Sequence, residues 1–198
     1  MKKAAVYVAI LFLASSAFGY SLNGRKWFTS AEAEFFLNNS NGPGCCLSAS
    51  QQSSQILSGI NAWAIASHGG STTRSGAKRD GVNVISWGKL GGNTLGVTNY
   101  ISTDTSQSQV CNGNLIYRFE EVDVRFNNAF TWQTSSTCTT GFDLEGVSTH
   151  EFGHAVGLGH TNVQGATMYP SVAACDFSIS SLANDDKAGY SAIYNGCN

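Results

Sequence analysis

Apolar positions fall into a few short segments separated by long polar, glycine-rich stretches. Ala33 to Leu37 reads as a first strand, closed by the turn-forming run from Asn38 to Gly44. Between Ser53 and Ser67 the residues Ile56, Leu57, Ile60, Trp63, Ala64 and Ser67 recur at three- and four-residue steps. That spacing predicts a helix, which Gly69-Gly70 would end. Val82 to Trp87 follows a polar Ser/Thr/Gly stretch and alternates as a strand does, and Leu95 to Ile101 reads as another. A polar loop, Ser102 to Asn114, carries Cys111. Val122, Val124 and Phe126 then alternate with Asp123, Arg125 and Asn127, as a strand with one buried face demands. Two helices close the chain, around Leu144 to Gly157 and Leu182 to Asn195. Strands early and helices late indicate an α+β fold, a twisted sheet backed by helices.

The first residues do not belong to that fold. Lys2 and Lys3 precede an apolar run from Ala4 to Leu13, interrupted only by Tyr7, and small residues follow in Ala14-Ser15-Ser16-Ala17-Phe18-Gly19. This order is that of a secretory signal, and the run is too short to span a bilayer. Cleavage is expected after Gly19, or after Ala17, leaving one domain over residues 20–198 that is soluble and monomeric. The other reading is an uncleaved membrane anchor. Length alone suffices for one sizeable core in the 198 residues. Charged residues make up 12%, with a net charge of −2 and no basic stripe, which argues against a nucleic-acid partner.

Six cysteines, Cys45, Cys46, Cys111, Cys138, Cys175 and Cys197, suit an oxidising compartment, either extracellular or periplasmic. No CxxC spacing occurs, which favours disulfides over metal binding. Six allow many pairings; we expect Cys111 with Cys138 and Cys175 with Cys197, because each pair brackets one structural unit.

Three of the four histidines fall within one short run, His150-Glu-Phe-Gly-His154-Ala-Val-Gly-Leu-Gly-His160. On a helix, His150 and His154 share a face and can aim ring nitrogens at one ion, while Glu151 flanks that ion without ligating it. Gly157 can leave the helix with positive φ and turn the chain so that His160 returns. Three neutral nitrogens leave a fourth zinc position for water, as in a catalytic zinc site. Glu151 is then placed to act as general base. HExxH alone recurs by chance in buried helices, but the extended form fixes five positions.

With these residues the sequence resembles the metzincin metallopeptidases, and among them the matrixin-type (matrix metalloproteinase-like) catalytic domain. Met168, in Ala166-Thr167-Met168-Tyr169-Pro170, is similar to that family's methionine turn beneath the metal. The run from Leu182 to Gly189 resembles its C-terminal helix, in which an acidic pair, here Asp185 and Asp186, tethers nearby elements. Lys26-Trp27 is similar to the start of the family's catalytic domain. The resemblance implies a zincin-like, mostly parallel five-stranded sheet with an antiparallel edge strand, backed by about three helices. It also implies zinc-dependent endopeptidase activity on protein or peptide substrates, with one catalytic Zn2+. Leu95 to Ile101 would be the edge strand, to which a peptide adds antiparallel; Leu95, Val97 and Pro170 are the implied substrate contacts.

The sequence departs from the family in three respects. The stretches matching the animal enzymes' second, structural zinc site, Val97 to Tyr100 and Arg125 to Asn127, carry no histidine, so that zinc is not expected, and His68 alone makes no site. The pocket wall reads Pro170-Ser171-Val172 rather than Pro-x-Tyr. With the catalytic-domain likeness starting close behind the leader, no propeptide with a zinc-blocking cysteine is expected, which looks more bacterial than animal. The sequence is silent on calcium. Competing readings are a zinc-binding module that no longer cleaves, a hydrolase of non-peptide amides, and a disulfide-braced structural domain.

Overall fold

The structure, a computed structural model, describes residues 19–76, 79–134 and 138–197; the leader segment therefore lies outside the described residues except for Gly19. Its elements in chain order are β1 (Glu34–Leu37), α1 (Ala49–Asn61), β2 (Ser67–Ser71), β3 (Asn83–Gly88), β4 (Gly96–Ile101), β5 (Ser108–Cys111), β6 (Asn114–Arg118), β7 (Glu121–Asn127), α2 (Leu144–Ala155) and α3 (Asn184–Tyr194). Five strands form the main sheet in the order β2-β1-β3-β7-β4. Four run parallel, and β4 lies antiparallel on β7 at the edge. The α+β architecture is thus as expected, down to the antiparallel edge strand and three helices.

One face of the sheet packs Phe35, Ile85, Val122, Val124 and Phe126 against Ile56 and Ile60 of α1 and Val147 and Phe152 of α2. The other face is not solvent, contrary to the simple alternation of the sequence: Glu121, Asp123 and Asn127 are also buried. Backbone donors meet part of their polar surface, Asp123 Oδ1 accepting from Val84 N (2.9 Å) and Glu121 Oε2 from Asp80 N (2.7 Å), while Glu121 Oε1 is buried without a partner among the described residues. Helix α2 packs on both α1 and the sheet, and most of its residues are buried.

Helix α1 spans Ala49–Asn61 instead of the Ser53 to Ser67 expected. Ser48 caps it through a capping box, its Oγ accepting from Gln51 N and its own N–H donating to Gln51 Oε1. The cap starts the helix about two turns before the apolar stripe that begins at Ile56. At the other end, residues expected in the helix or its stop become β2, whose backbone pairs in parallel with β1. The loop expected from Ser102 to Asn114 contains β5, which forms a hairpin with β6. Asn112 (φ 48°) and Gly113 (φ 80°) make the turn, as Asn-Gly favours between antiparallel strands.

The disulfides also differ from expectation. Cys111 pairs with Cys197 and Cys138 with Cys175, not Cys111 with Cys138 and Cys175 with Cys197. Rather than bracketing single units, each bond joins two. Cys111, at the end of β5, meets Cys197 in an antiparallel bridge beyond α3, and Cys175 is brought in by its N–H to Gly141 O (2.9 Å). Cys45 and Cys46 are free thiols at the surface. The Cys111–Cys197 bond closes a span of 86 residues. Replacing both cysteines by serine is expected to cost about 2–4 kcal/mol, read as a lower urea midpoint; an unchanged midpoint would contradict a stabilising role.

Candidate active site

Asp143 caps α2 by accepting from Gly146 N (2.9 Å), and the helix then presents His150 and His154 one turn apart. At its end Gly157 adopts φ 114° and donates to His154 O (3.1 Å). The next residues, Leu158–Gly159, pair antiparallel with Ser21–Leu22, which aims the chain back and returns His160 to the other two. The Nε2 atom of His160 lies 3.3 Å from that of His150 and 3.1 Å from that of His154.

The outer ring nitrogens are fixed by backbone. His150 Nδ1 lies 2.7 Å from Thr167 O, and His154 Nδ1 2.8 Å from Leu158 O. A carbonyl oxygen only accepts, so both Nδ1 atoms carry the hydrogen and both Nε2 atoms present lone pairs. His160 can donate to one of them but not to both, and a shared cation resolves the conflict. Nitrogens bound tetrahedrally to zinc at about 2.0–2.1 Å stand roughly 3.3 Å apart, close to the separations seen. The set fits zinc. Burial favours the neutral, ligating form: it holds His150 down at about 3, and His154 and His160 below the usual imidazole range. Among the described residues this is the one group of three such side chains whose ligating atoms converge, all within 4.8 Å of one another.

Glu151, next in sequence to His150, points to another neighbour. Its carboxylate Oε2 accepts from Thr98 Oγ1 of β4 (2.7 Å), and its main-chain carbonyl lies 2.9 Å from the same hydroxyl. Gly96, two residues earlier on the same strand face, makes room for it: a Cβ there would stand 2.7 Å from Oε1. Burial pushes the Glu151 carboxyl up to about 7, with the Thr98 bond pulling the other way. Beneath the helix, Met168 is buried, and a Cβ at Gly153 would overlap its sulfur. Asp186 fixes that turn, Oδ2 accepting from Thr167 N (2.9 Å) and Oδ1 from Met168 N (3.0 Å). Asp185 Oδ1 accepts from Gly19 N (2.6 Å) and Tyr20 N (3.1 Å). The acidic pair thus tethers two elements, as the sequence led us to expect.

Residues 100–195 match the profile of the matrixin peptidase family. The chain is similar to matrix metalloproteinase-27 of Tupaia belangeri, 42% identical over 74 residues, which are 37% of this chain and 14% of that protein. It is 45% identical over 58 residues to metalloendoproteinase 5-MMP of Arabidopsis thaliana (29% and 16%). Neutrophil collagenase of Homo sapiens is 38% identical over 96 residues (46% and 20%). This chain contains a matrixin-like metzincin catalytic domain. The match covers between 14% and 20% of the length of these relatives.

Within the matrixin-like domain the implied substrate contacts lie on or next to β4 and just past Met168. Val97 is half-buried on β4, which among the described residues pairs on one side only, at the edge of the sheet. Leu95 immediately precedes the strand and accepts from Asn127 N (2.8 Å). Pro170 is exposed just past Met168, and Val172 packs on the core. Two residues of the site had escaped the sequence reading. One is Thr98. The other is Asn23, whose Nδ2 donates to His154 O (3.1 Å) and ties the N-terminal segment to the end of α2. Only the alternation of β4, which places Thr98 on the face of Gly96, signalled the first in advance; nothing in the sequence signalled the second.

Proposed function

We propose that this matrixin domain is a secreted zinc-dependent endopeptidase, with His150, His154 and His160 holding the metal and Glu151 acting as general base. The observation that carries the reading is the convergence of three Nε2 atoms, two of them on the helix that also carries the buried Glu151 carboxyl. Zinc, when bound, lowers the pKa of water to about 7 and polarises the carbonyl to be attacked. Glu151 accepts the proton of the attacking water and passes it to the departing amine.

The substrate side of the reading rests on β4. Its free edge offers main-chain groups to an extended peptide, with Leu95, Val97 and Pro170 beside the scissile bond. Secretion is supported by the leader-like residues 1–19 and by two disulfides. No helix among the described residues is long and apolar enough to cross a membrane.

The test is metal content and cleavage of unfolded casein by the purified protein. One zinc per chain is expected, with cleavage abolished by a chelator and restored by added zinc. A protein that holds one zinc and cleaves neither casein nor other denatured proteins would instead be a binding module. Cleavage indifferent to chelation would overturn the zinc assignment.

A further inference from the structure

Strand β4 has a second relation to the site besides its free edge. Side chains alternate across a strand, so Gly96, Thr98 and Tyr100 share one face. Gly96 and Thr98 meet Glu151 of α2, the glycine leaving the space and the threonine filling it with a hydroxyl. That hydroxyl lies 2.7 Å from carboxylate Oε2 and 2.9 Å from the main-chain oxygen of the same residue. Thr98 is itself held: it pairs with Val124 on β7, a strand buried in the core, and its β-branched side chain has few rotamers open to it. Oε2 is therefore fastened to the sheet, while Oε1 is left for other chemistry.

We propose that Thr98 is a positioning residue for Glu151, holding Oε2 from the edge strand so that Oε1 meets the attacking water. The proposal rests on Glu151 being the general base. It makes β4 serve both halves of the reaction, since the strand that would align the peptide also orients the carboxylate that takes the proton. A base held from the substrate's own docking strand keeps its distance to the scissile bond when that strand shifts. Thr98 touches neither water nor peptide through its hydroxyl; it acts through Glu151 alone.

The experiment is steady-state kinetics of full-length Thr98→Val and Thr98→Ser on an internally quenched peptide built around a casein site that wild type cuts, with zinc content measured in each. A hydrogen bond to a charged group predicts a kcat about 10- to 100-fold lower for Thr98→Val, with KM and zinc stoichiometry unchanged. Thr98→Ser restores most of the rate, because it keeps the hydroxyl and loses only the rotamer restriction. Should the valine variant not fold, Thr98→Ala carries the same prediction. An unchanged kcat, or an effect confined to KM, overturns the proposal, the latter because it would place Thr98 in peptide binding. A double-mutant cycle separates this outcome from failure of the underlying reading. If Glu151→Ala alone leaves kcat intact, Glu151 is not the base. If Glu151→Ala is slow but Thr98→Val slows it further by the full factor, Thr98 does not act through Glu151.

Discussion

Glu151→Ala is expected to cleave casein about 10²–10⁴-fold more slowly than wild type while still holding one zinc, because loss of a positioned general base costs a factor of that size. The geometry separates the two properties. The converging atoms are three imidazole nitrogens, each of the two helical rings fixed by its own backbone carbonyl, and the Glu151 carboxylate takes no part in holding them. Its side-chain partner is Thr98 on β4. Truncation at Glu151 therefore leaves the donor set in place and removes only the group that accepts the proton. The fold should tolerate the change, since the carboxyl is buried against its own ionisation. Zinc content by elemental analysis and initial cleavage rates decide the matter together. Loss of both zinc and activity would make Glu151 a structural support of the ligands, and full activity would remove it from the mechanism.

The histidine cluster was more legible in the sequence than the fold around it, because its information is local. A helix of 3.6 residues per turn sets His150 and His154 on one face wherever it is placed, and Gly157 marks where the chain turns. Asp186 and Met168 became readable through family likeness, and the structure joins them by hydrogen bonds to one turn. The start of α1 was misjudged because the Ser48–Gln51 capping box outweighs the apolar spacing that begins at Ile56. Strands β2 and β5 were read as loop or helix end since both are polar and largely exposed, so they carry no alternation of buried residues. The disulfides could not be read from order along the chain. Cys111 and Cys197 are brought together only once the β5–β6 hairpin is folded back against the end of α3. Thr98 marks the same limit at the site: the pattern gives its face of the sheet, but not the carboxylate that packs there.

Gly157→Ala is expected to weaken zinc binding and lower cleavage by about 10²-fold or more, the penalty for misplacing a group by roughly 1 Å. Two terms act at this position. The backbone sits at φ 114°, a conformation that costs a residue with a Cβ about 1–3 kcal/mol. A Cβ there would also lie 2.3 Å from the main-chain oxygen of Arg25 and 3.0 Å from Ile193 Cδ1. Arg25 cannot easily give way. The preceding segment is bonded to the same turn, Asn23 N donating to Gly157 O (2.9 Å) and Leu22 pairing with Leu158, while Arg25 itself pairs with Tyr117 of β6. Relief must come from the residues after Gly157, and those deliver His160. Gly165→Ala is the control, since its φ of 84° is also positive but a Cβ there meets nothing within 4 Å. That variant should lose about 1 kcal/mol of stability and keep its zinc. Urea unfolding with zinc titration of both proteins distinguishes strain from displacement. If Gly157→Ala loses only as much as Gly165→Ala and binds zinc like wild type, the turn does not position His160 and the histidine must be held by another part of the chain.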